Sequence, residues 1–296
     1  MENAISIFET GDYGKIQKLL YDKESKVCED CSLGMYVWKD RYKLELIKIA
    51  GGYVFHSKAD DSFMFPMPLE KAVDVIKELF KERTKLEFHR VTKEQREILE
   101  DNFPGCFNFV EDEGSYDYLY EVEALAELRG KKLSKKRNHI NSFLTTYDNW
   151  RTEVITKENV QDCIEFAKDW YIAKDDKAEA GSDSLNYEKE SLFKVLENFE
   201  YLNAEGILLR IEGKCLAFTV GQRISSYAYD VVFEKADEQI RGAYNIINRE
   251  FVRYLRRKYP NLKYINREND LNLPGLRKAK NSYMPCEIVT KYDAKA

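Results

Sequence analysis

The chain has 296 residues, of which 44% are hydrophobic and 33% are charged, and its formal net charge is −5. This composition excludes a disordered chain and leaves room for one large or two ordinary domains. The acidic balance argues against general binding to nucleic acids or anionic membranes. No apolar run approaches the ~18–20 residues that span a bilayer, and the N-terminus lacks signal-peptide features, so we expect a cytoplasmic protein.

Strands and helices alternate along the sequence, which predicts an α/β (α+β) fold. Predicted strands lie at 43–49, 52–57, 62–66, 85–90, 106–110, 152–156, 206–211, 215–222, 227–233, 263–266 and 286–290. Predicted helices lie at 69–82, 93–101, 121–128, 134–147, 157–171, 186–199, 240–258 and 275–281.

A strand–helix–strand unit occurs at 63–90 and again at 227–266, which indicates an internal repeat. We therefore expect two tandem domains, 1–130 and 131–296, with a shared or continuous sheet. Pro66 and Pro68 precede the helix of the first copy, and prolines remove the N–H donors that a phosphate site needs. The N-terminal domain is therefore predicted to be structural and the C-terminal domain to be the active half.

The second copy contains a candidate phosphate site. Gln239, Ile240, Arg241, Gly242, Ala243 and Tyr244 follow the strand 227–233 and open a long amphipathic helix. The first N–H groups of a helix have no partners within it, and the helix dipole adds positive potential there. Gly242 lacks a Cβ that would keep a phosphate away from the backbone. The segment is predicted to bind a phosphorylated cofactor or carrier.

Two resemblances involve this segment. Gln239-x-x-Gly242 is similar to the start of the acyl-CoA pyrophosphate loop of GNAT acyltransferases, although Tyr244 stands where that loop has Gly or Ala. Longer phrases resemble a bacterial family that is similar to the C-terminal domain of phosphatidylglycerol lysyltransferase. These phrases are Lys131–Ile140, Gly242–Phe251, Tyr264–Glu268 and Gly275–Lys280. The resemblance implies two tandem GNAT-like domains, each a mixed central sheet flanked by helices.

Three residues are candidates for catalysis. Asp230 interrupts an apolar strand and is either a base or anchor for a substrate amine, or a neutral or salt-bridged core residue. Glu268 lies just past the strand 263–266, where the GNAT resemblance implies that two strands separate and admit the acyl group. Tyr283 corresponds by position to the GNAT tyrosine that protonates the leaving thiolate; the alternative is a packed tyrosine.

Two further groups are candidates for binding. Asn266, Arg267 and Asp270 flank Glu268 and could hold the amide, phosphate or carboxylate of a substrate, or simply form the turn into the next helix. A basic patch free of acids could attract CoA phosphates or a tRNA, or could be a solvated helix face. Its site residues are Lys131, Lys132, Lys135, Lys136 and Arg137.

No metal site is expected. Cys28 and Cys31 have metal-ligand spacing, but no second pair of ligands follows them, and the six cysteines form no disulfide pattern. His56, His89 and His139 are far apart and are interpreted as structural.

Three functions remain open. The first is acyl transfer from acyl-CoA to an amine or hydroxyl, with Asp230 or Glu268 as the base. The second is aminoacyl transfer from aminoacyl-tRNA, which the lysyltransferase resemblance implies and the basic patch favours. The third is a non-catalytic GNAT-like protein that only binds a ligand, which the departure at Tyr244 allows.

Overall fold

The computed structural model describes residues 4–5, 13–175 and 183–296. Within these ranges the chain forms fourteen strands and ten α helices. The strands are β1 (Ala4–Ile5), β2 (Leu44–Ile49), β3 (Gly52–Ser57), β4 (Ser62–Phe63), β5 (Glu87–Thr92), β6 (Asn108–Glu111), β7 (Asp117–Glu121), β8 (Trp150–Val154), β9 (Glu205–Ile211), β10 (Lys214–Arg223), β11 (Ala228–Ala236), β12 (Tyr264–Asn266), β13 (Glu287–Val289) and β14 (Lys291–Lys295). The helices are α1 (Tyr13–Tyr21), α2 (Ser32–Tyr42), α3 (Leu69–Glu82), α4 (Lys93–Asn102), α5 (Val122–Glu127), α6 (Ser134–Thr146), α7 (Val160–Asp175), α8 (Asp183–Glu197), α9 (Ala243–Lys258) and α10 (Pro274–Asn281).

The strands form two seven-stranded sheets with the same internal order. The first sheet runs β1-β2-β3-β4-β5-β14-β6, and the second runs β8-β9-β10-β11-β12-β7-β13. In each sheet the fourth and fifth strands are parallel, and the other neighbours are antiparallel. The parallel pair is joined by a helix, α3 in the first sheet and α9 in the second. The predicted repeat and the predicted fold of two mixed sheets flanked by helices are confirmed.

The two halves exchange one strand. β14, at the C-terminal end of the chain, lies between β5 and β6 of the first sheet, and β7 lies between β12 and β13 of the second. The sixth strand of the first sheet, β14, thus comes from after residue 130, and the sixth strand of the second sheet, β7, comes from before it. The halves are joined by this exchange, and within the described residues no strand pair links the two sheets. The expectation of a shared or continuous sheet is therefore wrong, because each half closes its own sheet with a strand taken from the other. The exchanged strands were not among the predicted ones.

Helices cover both faces of the second sheet. Core residues of α5, α6 and α9 pack on one face, and those of α1, α2, α7 and α8 pack on the other. Helix α2 serves both halves, because Leu33 and Val37 join the core of the second sheet while Met35 packs with Leu46 and Phe55 of the first. A helix that is buried on several sides has no polar face, which explains why α2 was not predicted. Among the described helices, none has the length and apolar character needed to cross a bilayer.

Candidate active site

Strands β11 and β12 separate in the middle of the second sheet. They are paired at Ala228, Tyr229 and Asp230, but β12 ends opposite Asp230 while β11 continues to Ala236. The pairing of β11 with β10 shifts just beyond this point, so Val232 is an extra residue in a β-bulge. Bulges leave backbone groups unpaired and are frequent beside active sites. The region beside β11 that β12 leaves unpaired is here called the wedge, and the GNAT resemblance predicts the acyl site at this position.

Two carboxylates lie where the wedge begins. Asp230 is completely buried, and neither of its oxygens accepts a hydrogen bond from a nitrogen or oxygen of the described residues. It points toward the N-terminal turn of α2, where Gly34 lies near its Oδ2 and the Cys31 thiol lies beside it. Burial, reinforced by the charge of Glu268, raises the pKa of Asp230 well above its usual range. Burial therefore favours the protonated form of Asp230.

Glu268 is the accessible member of this pair. Its residue surface is partly exposed, and its backbone has a φ of +55°, a strained conformation for a residue with a side chain. Desolvation raises the pKa of Glu268 to about 7, with Lys280 opposing the shift. A carboxylate with a pKa near the operating pH is suited to act as a general base.

A second group of side chains fills the other face of the wedge. Arg267 Nη2 donates to Glu234 Oε1 at 2.9 Å, and its guanidinium lies 4.9 Å from the centre of the Tyr283 ring. The Tyr283 hydroxyl accepts a hydrogen bond from Asn245 of α9 at 2.6 Å, which leaves its own proton free to be donated. Burial raises the pKa of Tyr283 to about 12, so the phenol stays protonated.

Two lysines add positive charge to this group. Lys136 Nζ lies 4.0 Å above the Tyr283 ring, and burial together with Arg267 lowers the pKa of Lys136 to about 8. Lys280 donates to the backbone carbonyls of Arg267 and Glu268, and burial lowers the pKa of Lys280 to about 8. The wedge therefore has a cationic, aromatic side and an acidic side, joined by the consecutive residues Arg267 and Glu268.

The predicted binding residues Asn266 and Asp270 are already used by the fold. The Asn266 amide donates to Asp117 at 2.8 Å and to the Lys26 carbonyl at 2.9 Å, which leaves no N–H for a substrate. Asp270 is completely buried, accepts from Tyr118 at 2.6 Å and pairs with Arg277 at 2.5 Å. These contacts fix the segment that carries Arg267 and Glu268, which agrees with the turn-forming alternative for Asp270.

The predicted phosphate loop 239–244 has less space than its sequence indicates. Gly242 caps α9 with a φ of +89° and without a side-chain cap. A Cβ at Gly242 would lie 2.6 Å from the His139 carbonyl oxygen and 3.1 Å from Phe143 Cβ. The glycine is therefore required by its backbone conformation and by close packing against α6, so its missing Cβ does not open a space for a ligand. Tyr244, the departure from the GNAT pattern, is partly buried and packs against the core of the second sheet beside Trp170.

The basic patch divides into exposed and structural members. Lys131, Lys132 and Lys135 are exposed. Arg137 instead donates to the carbonyls of Leu128 and Gly130 and thereby closes the end of α5. Only the exposed lysines are available to a macromolecule at this surface, since Lys136 faces the wedge.

A groove of about 570 Å³ lies on the α7 side of the phosphate loop, between α7 and the turn joining β9 to β10. Carboxylates outnumber cations in its lining, and it reaches Gln239 at the mouth of the loop. Two of the carboxylates are neutralised, Asp162 by Arg210 and Glu238 by Lys174. The remaining acids are Glu165, Asp169 and Asp237. The groove therefore favours a cationic or neutral ligand over an anionic one.

Sequence reasoning missed several side chains of the site. Glu234 lies on β11, as the predicted Asp230 does. Glu234 pairs with Arg267, the residue that directly follows the end of β12. Lys280 had the appearance of a surface lysine of a short helix, but it is buried. The bulge at Val232 has no local sequence signal, because both flanking stretches are ordinary strand sequence.

Comparisons with known proteins identify the family and the fold. The family described as phosphatidylglycerol lysyltransferase, C-terminal, matches residues 22–295. A crystal structure of a conserved protein of unknown function from Bacteroides thetaiotaomicron is 35% identical, with a TM-score of 0.86 over 96% of both chains. The structure of L-PGS from Bacillus licheniformis shares the fold, with a TM-score of 0.66 at 13% identity over 95% of this chain and 90% of that one.

One curated relative is the uncharacterized protein MYCGA3080 of Mycoplasmoides gallisepticum, which is 27% identical over 187 residues. The match covers 61% of this chain and 56% of the relative, so the chain spans about half the length of the curated relative that it matches. The family match extends over nearly the whole chain and confirms the resemblance. The chain belongs to the family of phosphatidylglycerol lysyltransferase C-terminal domains.

Proposed function

We propose that this protein transfers an aminoacyl group from aminoacyl-tRNA to an amine or hydroxyl acceptor, with the chemistry in the wedge between β11 and β12. The observation that carries the proposal is the acid pair at the start of the wedge. Burial favours the protonated form of Asp230, and the partly exposed Glu268 has a pKa raised to about 7. Membership of the lysyltransferase C-terminal family supports an aminoacyl donor.

Each residue has a defined role in this reaction. Glu268 takes the proton of the attacking amine or hydroxyl while a bond forms between the acceptor atom and the ester carbonyl carbon. Arg267 and the backbone donors freed by the bulge at Val232 stabilise the negative oxygen of the tetrahedral intermediate. The ester C–O bond to the tRNA ribose then breaks, and Tyr283 donates its proton to the departing oxygen. Lys136 and Arg267 lie next to the Tyr283 ring and compensate the charge left on the phenolate.

The exposed lysines at the start of α6 support a tRNA donor. Lys131 and Lys132 lie just before α6 and Lys135 lies in its first turn, and all three face solvent. The next lysine, Lys136, reaches the wedge. A polyanion on these lysines would therefore lie close to the reaction centre.

Acyl-CoA is the second candidate donor. The uncapped N-terminus of α9 at Gly242 favours it, because free N–H groups and the helix dipole attract a pyrophosphate. The filled space beside Gly242 and the bulk of Tyr244 argue against it. For these two reasons we rank acyl-CoA behind aminoacyl-tRNA as the proposed donor.

The test compares both donors in one assay. Purified protein is incubated with a mixture of radiolabelled aminoacyl-tRNAs or with acetyl-CoA, and with a panel of amine and hydroxyl acceptors. We expect acceptor-dependent loss of label from tRNA, abolished by Glu268→Gln and unaffected by the surface change Glu82→Gln. Transfer from acetyl-CoA alone would select the second donor, and no transfer from either would leave a ligand-binding role.

A further inference from the structure

We propose that the groove beside α7 binds an aliphatic diamine or polyamine, a small linear molecule with an ammonium group at each end. The groove has a volume of about 570 Å³, within the range of about 300–1,000 Å³ that is typical of small-molecule sites. It lies between α7, the turn from β9 to β10 and the segment that follows β11. The inference is independent of the proposed aminoacyl transfer, because it involves neither the wedge nor the exposed lysines of the basic patch.

The charge of the groove selects the class of ligand. Five carboxylates and three cationic side chains line it, which gives a formal charge of −2. Ion pairs neutralise two of the carboxylates, whereas Glu165, Asp169 and Asp237 form no ion pair among the described residues. The third cation, Lys214, is exposed. Phosphorylated ligands are therefore disfavoured, and a dication matches the excess of negative charge.

The three acids without an ion pair lie on two walls of the groove. Glu165 and Asp169 are four residues apart on α7, so they lie one turn apart on the same face of the helix. Asp237 follows β11, and its Oδ1 accepts the backbone N–H of Gln239 at 2.8 Å, which orients the carboxylate. Negative charge on two walls favours a ligand with a cation at each end over a ligand with one cation.

The chain itself holds one ammonium group in this groove. Lys174 Nζ lies 5.1 Å from the centre of the Trp170 ring, and the same ammonium pairs with Glu238. All three residues line the groove. The ring is held in place because Trp170 Nε1 donates to the Ala236 carbonyl at 3.0 Å. An aromatic face beside a carboxylate is a favourable environment for an ammonium ion, so the groove offers a ligand what it already provides for Lys174.

The apolar part of the lining distinguishes an organic dication from a metal ion. Phe166, Trp170 and Ala173 lie along α7, and Leu216 lies on β10 opposite them. The methylene groups of a diamine gain free energy when they leave water for such a surface, and an inorganic cation has none. Within the part of the chain that the structure describes, no three carboxylates of the groove lie within 4.8 Å of one another, as metal ligands would. The groove therefore favours the diamine.

The test is a calorimetric titration of the full chain with 1,4-diaminobutane, butylamine and 1,4-butanediol at physiological salt. We expect saturable binding of the diamine, weaker binding of the monoamine and none of the neutral diol. The double variant Glu165→Gln, Asp169→Asn should weaken diamine binding roughly tenfold, since two ion pairs of about 0.5–1 kcal/mol each are lost. The matched control, Glu70→Gln with Glu82→Gln, makes the same change in net charge at exposed residues of α3 and should leave the affinity unchanged.

A lysine replacement gives an effect of opposite sign. Lys174→Gln removes the ammonium that now occupies the Trp170 face and frees Glu238, so it should tighten diamine binding several-fold. Lys168→Gln changes an exposed lysine of the same helix that does not line the groove, and it should leave the affinity unchanged.

Three results would overturn the site. They are no saturable binding of the diamine by the parent chain, equal binding of the neutral diol, or an equal loss of affinity in the acid variants of α7 and of α3. The last result would show that the diamine responds only to the total charge of the protein. Glu165 and Asp169 are exposed, so their replacement is compatible with folding and the comparison stays decisive.

Discussion

Lys291 Nζ lies 2.7 Å from Asp117 Oδ1, and both side chains are completely buried. Asp117 is the first residue of β7 and Lys291 the first residue of β14, the two strands that the halves exchange. Lys291 also contacts Glu29 at 2.5 Å, and Asp117 accepts the backbone N–H of Cys28 at 2.9 Å. The group Cys28, Glu29 and Asp117 has metal-like composition, but the Lys291 ammonium occupies its centre. The exchange is thus fixed by a buried ion pair.

Removing this ammonium should destabilise the protein strongly. Lys291→Ala leaves Asp117 buried without its counter-ion and leaves Glu29 only the longer contact to Arg90 at 3.6 Å. Breaking a buried pair costs about 3–5 kcal/mol. The exposed pair of Lys295 with Glu87 is the control, and Lys295→Ala should cost less than about 1 kcal/mol. Urea unfolding of both variants measures the difference. Equal effects would show that the buried pair does not hold the exchange.

Gly242→Ala should destabilise the protein more than Gly213→Ala. Both glycines have a positive φ, +89° and +84°, so both variants bear a similar backbone cost of roughly 1 kcal/mol. Only at Gly242 does the new Cβ meet a backbone oxygen, at 2.6 Å; at Gly213 nothing lies within 4 Å. Denaturant unfolding of the two variants isolates the packing of α9 on α6. Equal losses of stability would contradict close packing as the reason for Gly242.

The raised pKa of Glu268 should make stability depend on pH. Folding raises this pKa from 4.5 to about 7, so the folded protein binds the proton more tightly than the unfolded chain does. The stability from this group is therefore full below pH 4.5 and falls as the pH rises to about 7. Glu268→Gln removes this dependence on pH. At pH 8 its free energy of unfolding should exceed that of the wild type by on the order of 1–3 kcal/mol. Denaturant unfolding at several pH values measures this effect in the wild type, in Glu268→Gln and in the exposed control Glu82→Gln. If the stability of Glu268→Gln depends on pH in the same way as that of the wild type, the pKa of Glu268 is not raised by folding.

The same pKa predicts how the rate depends on pH. A general base acts in its ionised form, so single-turnover transfer should rise with pH through about 7 and then level off. Glu268→Asp should retain part of the transfer rate, whereas the rate of Glu268→Gln should no longer increase with pH. A rate that falls over this range in the wild type would exclude Glu268 as the base.

The exposed lysines of α6 should govern the salt dependence of tRNA binding. Replacing Lys131, Lys132 and Lys135 by Ala should flatten the log–log slope by ~0.7 per lost phosphate contact. Lys136 and Arg137 are left intact, because one lies on the Tyr283 ring and the other closes α5. The control replaces three exposed lysines of α3, namely Lys71, Lys77 and Lys81. Gel shifts at several salt concentrations measure both slopes; identical slopes would identify the patch as a solvated surface.

Local patterns predicted most of the regular structure. The helix α9 and the strands β9, β10 and β11 were predicted within a few residues, since amphipathic spacing and runs of strand-forming residues depend on nearby sequence alone. β7 and β14 were not predicted. β7 is buried on both faces and shows no alternation, and β14 is short and polar.

The sequence by itself determined the two-copy αβ architecture and the family, and it selected Asp230, Arg267, Glu268 and Tyr283 as candidates for the site. These depend on periodicity, on continuous phrases and on charged residues in apolar surroundings, all of which are local. Only the tertiary structure decided which polar groups remain available. Asn266, Asp270 and Arg137 form hydrogen bonds within the fold. Helix α6 packs against Gly242, and Glu234 and Lys280 lie at the wedge. The physical reason is that burial, strand order and counter-charges arise between segments far apart in the chain, such as Asp117 and Lys291.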